Sequence, residues 1–314
     1  MFHIVEKRRW YFLFSSLVII IGLAALIYST VTTGSPFKLA IDFTGGSLWQ
    51  LSFDQPVQPA ELRQVFVEQG FNDPAVTTLG EANTLQVRLP PVDEEEKPVL
   101  LQAVEARFGN TKELLFSSVG PAIGREVTQA AFVAILAASV AILGFMVFAF
   151  RKVQHPIRYG TVAILAMFHD LALTLGVFSI LSLLFDWEAD ALFLTALLTV
   201  ISFSMQDKIV VFDRIRENSP KYRGESFSAI ANRSIMETIH RSLATQLNAI
   251  FVMVAILLFG GATIKQFMAV MLMGLASGTY SSIFIAIPLL VGWTEHDLLG
   301  TKDGETSPAA VQTA

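Results

Sequence analysis

The residues in this chain that could do chemistry stand where charge is expensive. From Thr199 to Asn218 the sequence reads TVISFSMQDKIVVFDRIREN. Gln206, Asp207 and Lys208 interrupt an apolar stretch that begins at Ala191 and resumes through Ile209–Phe212. Asp213, Arg214, Arg216 and Glu217 then end it abruptly. At ~1.5 Å of rise per residue, Asp207 lies about 9 Å along a helix axis from Asp213, inside the hydrocarbon of a membrane span. A carboxylate there costs roughly 2.5–3.5 kcal/mol on insertion scales, so it faces protein or water rather than lipid. The chemistry open to such a group is the uptake and release of a proton or a cation. Pairing with its neighbour Lys208 is geometrically poor, because adjacent helix residues sit about 100° apart. Lys208 is long enough to snorkel to the interface instead.

A second carboxylate, Asp170, stands in MFHDLALTLG near the middle of the preceding span, beside His169, a residue type suited to proton exchange. Two readings of Asp170 stay open: a helix-packing hydrogen bond to a Ser, Thr or Asn, and membership of a relay. Arg241 falls at the edge of the span that follows Asp207, in the same half of the membrane. An Asp207–Arg241 contact across that helix pair is therefore within reach.

Other chemistries find little support. The chain has no cysteine, which excludes disulfides, thiolate catalysis and cysteine metal sites. Its five histidines are scattered, with no HExxH-type spacing, so no metal site and no cofactor are expected. There is no GxxxxGK[ST] phosphate loop and no GxSxG elbow, so no enzyme is expected. An intramembrane aspartyl pair of Asp170 and Asp207 is formally open but has nothing else to support it.

The elements that must position these residues belong to a membrane. Of the 314 residues 53% are hydrophobic and only 16% charged, the balance of an α-helical polytopic membrane protein. A basic N-terminus (Lys7, Arg8, Arg9) precedes an apolar run, Tyr11–Val31, too long for a cleaved signal core. Five more spans are expected at about 130–150, 159–185, 191–212, 243–260 and 267–293. The loops 151–158 and 214–233 carry Arg151, Lys152, Arg158, Arg214, Arg216, Lys221, Arg223 and Arg233, whereas 186–190 holds three acids and no base. The positive-inside rule then puts both termini in the cytoplasm. Between the first two spans, residues 35–119 form a polar extracytoplasmic insert. Its strand-like runs (Ser47–Phe53, Ala75–Leu79, Thr84–Leu89, Glu113–Ser118) and helical runs (Pro59–Gln69, Glu95–Phe108) follow the order β-α-β-β-α-β. That is the ferredoxin-like α+β arrangement. Residues 224–241 read as an interfacial amphipathic helix leading into the fifth span. Gly274, Ala276, Ser277 and Gly278 read as a close-packing face of the sixth. The polar tail 300–314 reads as disordered and cytoplasmic.

Six stretches resemble the SecF family, the partner of SecD in the bacterial Sec accessory export complex. They are IDFTGGS (41–47), VGPAIGRE (119–126), HDLALTLGVFS (169–179), VVFDRIREN (210–218), NRSI (232–235) and GTYSSIFIAIPL (278–289), in family order along nearly the whole chain. VVFDRIREN together with GTYSSIFIA is the specific part. The resemblance implies an RND-like six-span half in the cytoplasmic (inner) membrane, paired with a homologous SecD-like subunit. It also implies a role in late steps of preprotein export driven by the proton motive force. By position, Asp207 and Arg241 correspond to the family's proton-linked Asp and Arg. Asp170 is a weaker relay candidate and Lys208 a modulator. Asp213, Arg214, Arg216 and Glu217 form the cytoplasmic motif, and Gly120, Pro121 and Gly124 a domain-to-membrane hinge. The implied partners are the SecD-like subunit, the Sec translocon channel, YajC-like and insertase proteins, unfolded preproteins and membrane lipids, with no nucleic acid. The chain departs from the family at Gln206-Asp207-Lys208, where the family reads close to Asn-Asp-Thr, and at Arg241-Ser242, usually Arg-Thr. Lys208 sets a positive charge beside the carrier and leaves sodium open as the coupling ion. Two other classes of function remain: a scaffold stabilising a translocation channel without ion coupling, and a subunit of an RND-like small-molecule or lipid exporter.

Overall fold

The apolar runs all become long helices, because within lipid a chain must satisfy its own backbone hydrogen bonds. The computed structural model describes residues 4–72, 74–79, 83–153 and 155–299. The tail expectation for 300–314 lies outside the described residues. Among the described residues six helices are long and apolar enough to cross a membrane. The chain divides into two compact units, Met1–Lys38 with Ala134–Trp187 and Leu192–Ala314, and Leu39–Val133 with Glu188–Ala191.

In the first unit a short turn, Val5–Lys7, leads into α1 (Arg8–Thr33), which ends at Gly34 in the left-handed region (φ 81°). Its start is tied down: the Asn232 side chain accepts from the N–H groups of Ile4 and Val5, and Arg8 pairs with Asp297 at 3.0 Å. The span that follows the insert is α5 (Pro121–Ala149), and α6 (Pro156–Phe185) comes after it. The next span, α7, runs over Ala191–Asn218, one and a half turns beyond the apolar limit at Phe212, because charged pairs three residues apart carry the helix onward. The expected amphipathic helix is not separate. It forms the first part of one unbroken helix, α8 (Phe227–Phe259), since no Gly or Pro interrupts that stretch. Ser226 caps it, accepting from the N–H of Ala229. The last span is α9 (Ala262–Ser281), a π-helical turn at Ser282–Ala286 and α10 (Ile287–Thr294).

These helices are not equivalent. The most apolar part of the last span is 67% buried in the protein, that of α5 only 11%, so the last span is central and α5 peripheral. Close crossings are made at glycines. A methyl group at Gly176 of α6 would fall 2.6 Å from the Cα of Gly22 in α1, and one at Gly274 of α9 would overlap Val200 of α7 at 2.0 Å. Gly278 sits over Ser204. Gly274, Ser277 and Gly278 thus form the expected close-packing face, but Ala276 points outward and is exposed.

The second unit holds a four-stranded antiparallel sheet built from β2 (Gly46–Phe53), β3 (Ala75–Thr78), β4 (Thr84–Leu89) and β5 (Thr111–Val119), in the order β3-β4-β2-β5. Helices α3 (Pro59–Glu68) and α4 (Lys97–Phe108) cover one face, which is the ferredoxin-like order. Alternation puts Trp49, Leu51, Phe53, Leu85, Val87 and Leu89 into one core with Leu62, Phe66, Leu100 and Val104. Three short elements escaped the sequence reading: β1 (Lys38–Leu39), a single helical turn, α2 (Ile41–Thr44), and β6 (Glu188–Ala189). Gly45 and Gly46 follow at φ 73° and 119°, and a side chain at Gly46 would strike the Leu89 carbonyl at 2.8 Å. Both backbone conformations favour glycine. Gly124 is equally confined, 2.7 Å from the Phe43 carbonyl once given a methyl group, and Pro121 lies against Gly45.

The α1–α6 crossing gives a direct test. Gly176→Leu forces the two backbones apart and is expected to destabilise the purified chain by about 1–3 kcal/mol or more, read as a lower Tm in detergent. Gly144→Leu, where nothing lies within 4 Å, is the control and leaves Tm unchanged.

Candidate functional site

Helix periodicity decides which polar groups meet. On α7, Ser204 and Lys208 are four residues apart and share a face; on α9, Ser277 and Ser281 do the same. Both faces turn toward Asp170 of α6, which is wholly buried. Its Oδ2 accepts from Ser204 Oγ at 2.6 Å, Ser281 Oγ at 2.7 Å and Lys208 Nζ at 2.9 Å. Its Oδ1 accepts from Ser277 Oγ at 2.8 Å and lies 3.0 Å from His169 Nδ1. The other ring nitrogen of His169 meets the hydroxyl of Ser15, itself buried on α1.

Lys208 is fully buried as well. Besides Asp170 it reaches the Ser204 carbonyl and hydroxyl, both at 2.7 Å, and Ser281 Oγ at 2.9 Å. It does not snorkel. Its partner is the carboxylate of another helix, because the turn of about 100° between neighbours that keeps it from Asp207 aims it at α6. Asp170, the weaker relay candidate, is therefore the centre of a buried polar cluster that draws on α6, α7 and α9.

Asp207 points a different way. It is 3% exposed, and its Oδ2 accepts from Gln246 Nε2 of α8 at 2.6 Å. The structure does not join it to Arg241. Arg241 lies five residues before Gln246, about 7.5 Å lower on the helix and well around it. Its side chain is exposed and lines a cleft of about 460 Å³ with Asp213, Arg216, Glu217 and Glu237. Gln246 itself lines a separate cavity of about 410 Å³, together with Gln206, Thr245, Asn248, Met268 and Met271.

The charged end of α7 forms a clasp. Asp213 pairs with Arg216 at 2.6 Å and Arg214 with Glu217 at 2.8 Å. Arg214 also reaches Glu237 of α8 at 2.6 Å, where Asn218 Nδ2 donates at 2.9 Å. Single half-exposed pairs contribute little, but this set ties two helices together. Gly120, Pro121 and Gly124 lie where β5 turns into α5; Pro121 and Gly124 pack against residues 43–45 as described above, whereas a side chain at Gly120 would meet nothing within 4 Å. The bonds made by Ser204, Ser277, Ser281, Ser15 and Gln246 were not assigned from the sequence, although Ser277 was expected in a close-packing face and a serine was among the partners expected for Asp170. The signal for the first three was there: serines paired with Lys208 or with each other at i,i+4 in apolar helices. Among the described residues no group of three or more His, Asp or Glu is placed to hold a metal ion.

Comparison with known proteins identifies this arrangement. The family of protein export membrane protein SecD/SecF, C-terminal, matches residues 100–296, and the SecD/SecF GG motif matches residues 31–57, which include Gly45 and Gly46. Protein translocase subunit SecF of Thermobaculum terrenum is 47% identical over 310 residues, covering 95% of this chain and 96% of that protein. SecF of Anaerolinea thermophila is 46% identical over 297 residues, 93% and 94% of the two chains. The crystal structure of SecDF, a translocon-associated membrane protein from Thermus thermophilus, superposes with a TM-score of 0.77 at 29% identity. It covers 94% of this chain, which spans only 39% of the length of that one. With a family match over most of its length and near-full-length relatives, this chain belongs to the SecF family of multi-pass protein translocase subunits.

Proposed function

We propose that this subunit assists a late step of protein export by coupling it to the proton motive force, with Asp207 as the proton carrier. The observation that carries the reading is the partner of Asp207: a buried carboxylate in mid-span bonded to a neutral amide, while the adjacent lysine is taken by Asp170. An amide offers both a donor and an acceptor. Gln246 can donate to the carboxylate when it is ionised and accept from the carboxyl group when it is protonated. Both states are then satisfied inside the bundle, which a fixed ion pair with Arg241 would not allow. The cavity lined by Gln206, Thr245 and Asn248 also reaches Gln246 itself and provides room for water beside this contact.

One proton crossing the membrane releases about 2.3 kcal/mol per 100 mV, enough to shift a two-state helix equilibrium. The π-helical turn at Ser282–Ala286 adjoins the cluster around Asp170 and suits a helix that changes its bend, since such turns recur at functional sites. Movement would pass to the extracytoplasmic domain through Gly120–Gly124. In this reading both termini and the Asp213–Glu217 clasp face the cytoplasm.

The partner is a SecD-like six-span subunit. Gln206, Thr245 and Asn248 are exposed on the helix surface within spans, a costly arrangement against lipid and a favourable one against a second bundle. The greater length of the Thermus SecDF chain, of which this one matches 39%, supports that pairing. The assembly would act beside the Sec translocon on unfolded preproteins.

Two outcomes test this. Asp207→Asn is expected to retain the SecD-like partner in co-purification while abolishing the dependence of late export on the proton gradient. Export in that variant that still responds to an uncoupler as wild type does rules out the carrier role, and loss of the partner points to a scaffold. Asn248→Leu is expected to weaken co-purification several-fold while leaving the stability of the isolated subunit, followed by thermal unfolding, within ~0.5 kcal/mol of wild type, as surface substitutions do.

A further inference from the structure

The ammonium of Lys208 sits in a shell made only of oxygen. Asp170 Oδ2, the Ser204 carbonyl, Ser204 Oγ and Ser281 Oγ surround it at 2.9, 2.7, 2.7 and 2.9 Å. The set is more than an ordinary ion pair. A backbone carbonyl and two hydroxyls complete it, and both hydroxyls also donate to Asp170. Each serine thus hands its proton to the carboxylate and its lone pair to the cation. Ser277 and His169 hold the other carboxylate oxygen, orienting the ligand from behind. The shell contains one negative charge, which matches one positive charge. Its separations exceed the roughly 2.0–2.1 Å of magnesium sites and 2.3–2.6 Å of calcium sites, and suit a larger monovalent ion.

We propose that Lys208 is a tethered cation filling a monovalent-cation site formed by Asp170, Ser204 and Ser281, and that the site takes a free alkali cation once the side chain is removed. The native chain therefore carries its counter-ion covalently and needs none from solution at this position. This goes beyond the coupling role of Asp207 and does not depend on it, because it is read from the isolated subunit without partner or gradient.

The test is thermal unfolding of the purified full chain in detergent, in the chlorides of lithium, sodium, potassium and choline at one ionic strength. Wild type is expected to melt at the same temperature in all four. Lys208→Ala is expected to melt lower in choline and to regain about 5 °C or more in at least one alkali salt, given cation at ~100 times its Kd. The gain disappears in Asp170→Asn/Lys208→Ala, which lacks the charged ligand. Lys208→Ser, which adds a hydroxyl, serves as the second variant should the alanine form fail to fold. The proposal is overturned if both variants melt alike in every salt, if the double variant gains as much as Lys208→Ala, or if neither variant folds in any alkali salt.

Discussion

A buried ammonium must be answered by a buried carboxylate, and much of this bundle follows from that requirement. Taking either Asp170 or Lys208 out of water alone would cost several kcal/mol even after relaxation. Together the penalty is offset only if the remaining lone pairs and protons are also satisfied, which three serines do. Serine hydroxyls are short, so the helices bearing them must come close. Gly274 against Val200 and Gly278 against Ser204 allow that approach. The small-residue stretch of the last span is therefore a consequence of the ion pair as much as a packing motif.

The same pair determines what Asp207 can do. Two adjacent charges on one helix diverge by about 100°, so a lysine aimed at α6 leaves its neighbour aimed elsewhere. Asp207 meets α8 at Gln246, where the available partner is an amide. Had Lys208 snorkelled, Asp170 would have been left with hydroxyls and a histidine alone. The division of labour is between one carboxylate held in a closed cage and another bonded to a group that accommodates either protonation state.

Much of this was legible in the residues. The six apolar helices, the order of strands and helices in the insert and the burial of both carboxylates follow from apolar length, from alternation as in β2 and from the cost of charge in lipid. What escaped depended on contacts between distant segments. Nothing local says that Lys208 reaches across to Asp170, because the choice among partners is made by helix rotation and crossing distance. Gly45 and Gly46 stand in the sequence only as part of IDFTGGS, and it is the Leu89 carbonyl beside Gly46 that shows why a side chain cannot stand there. The span boundary near Arg241 was drawn from charge, yet the helix continues from Phe227 to Phe259, because hydropathy changes along it while helix propensity does not.

The GG segment also shows what holds the second unit together around the start of α5. Glycines near the start of α5 suggest slack in sequence, but Gly124 has the Phe43 carbonyl where a side chain would stand, and Pro121 abuts Gly45. Asp42, in the same short turn, accepts from the N–H of Ala191 at 2.9 Å and so holds the start of α7. Glycine here permits closeness rather than freedom. The turn thus holds the first residues of α5 and Ala191 close together, immediately before β2, the strand that directly follows Gly45.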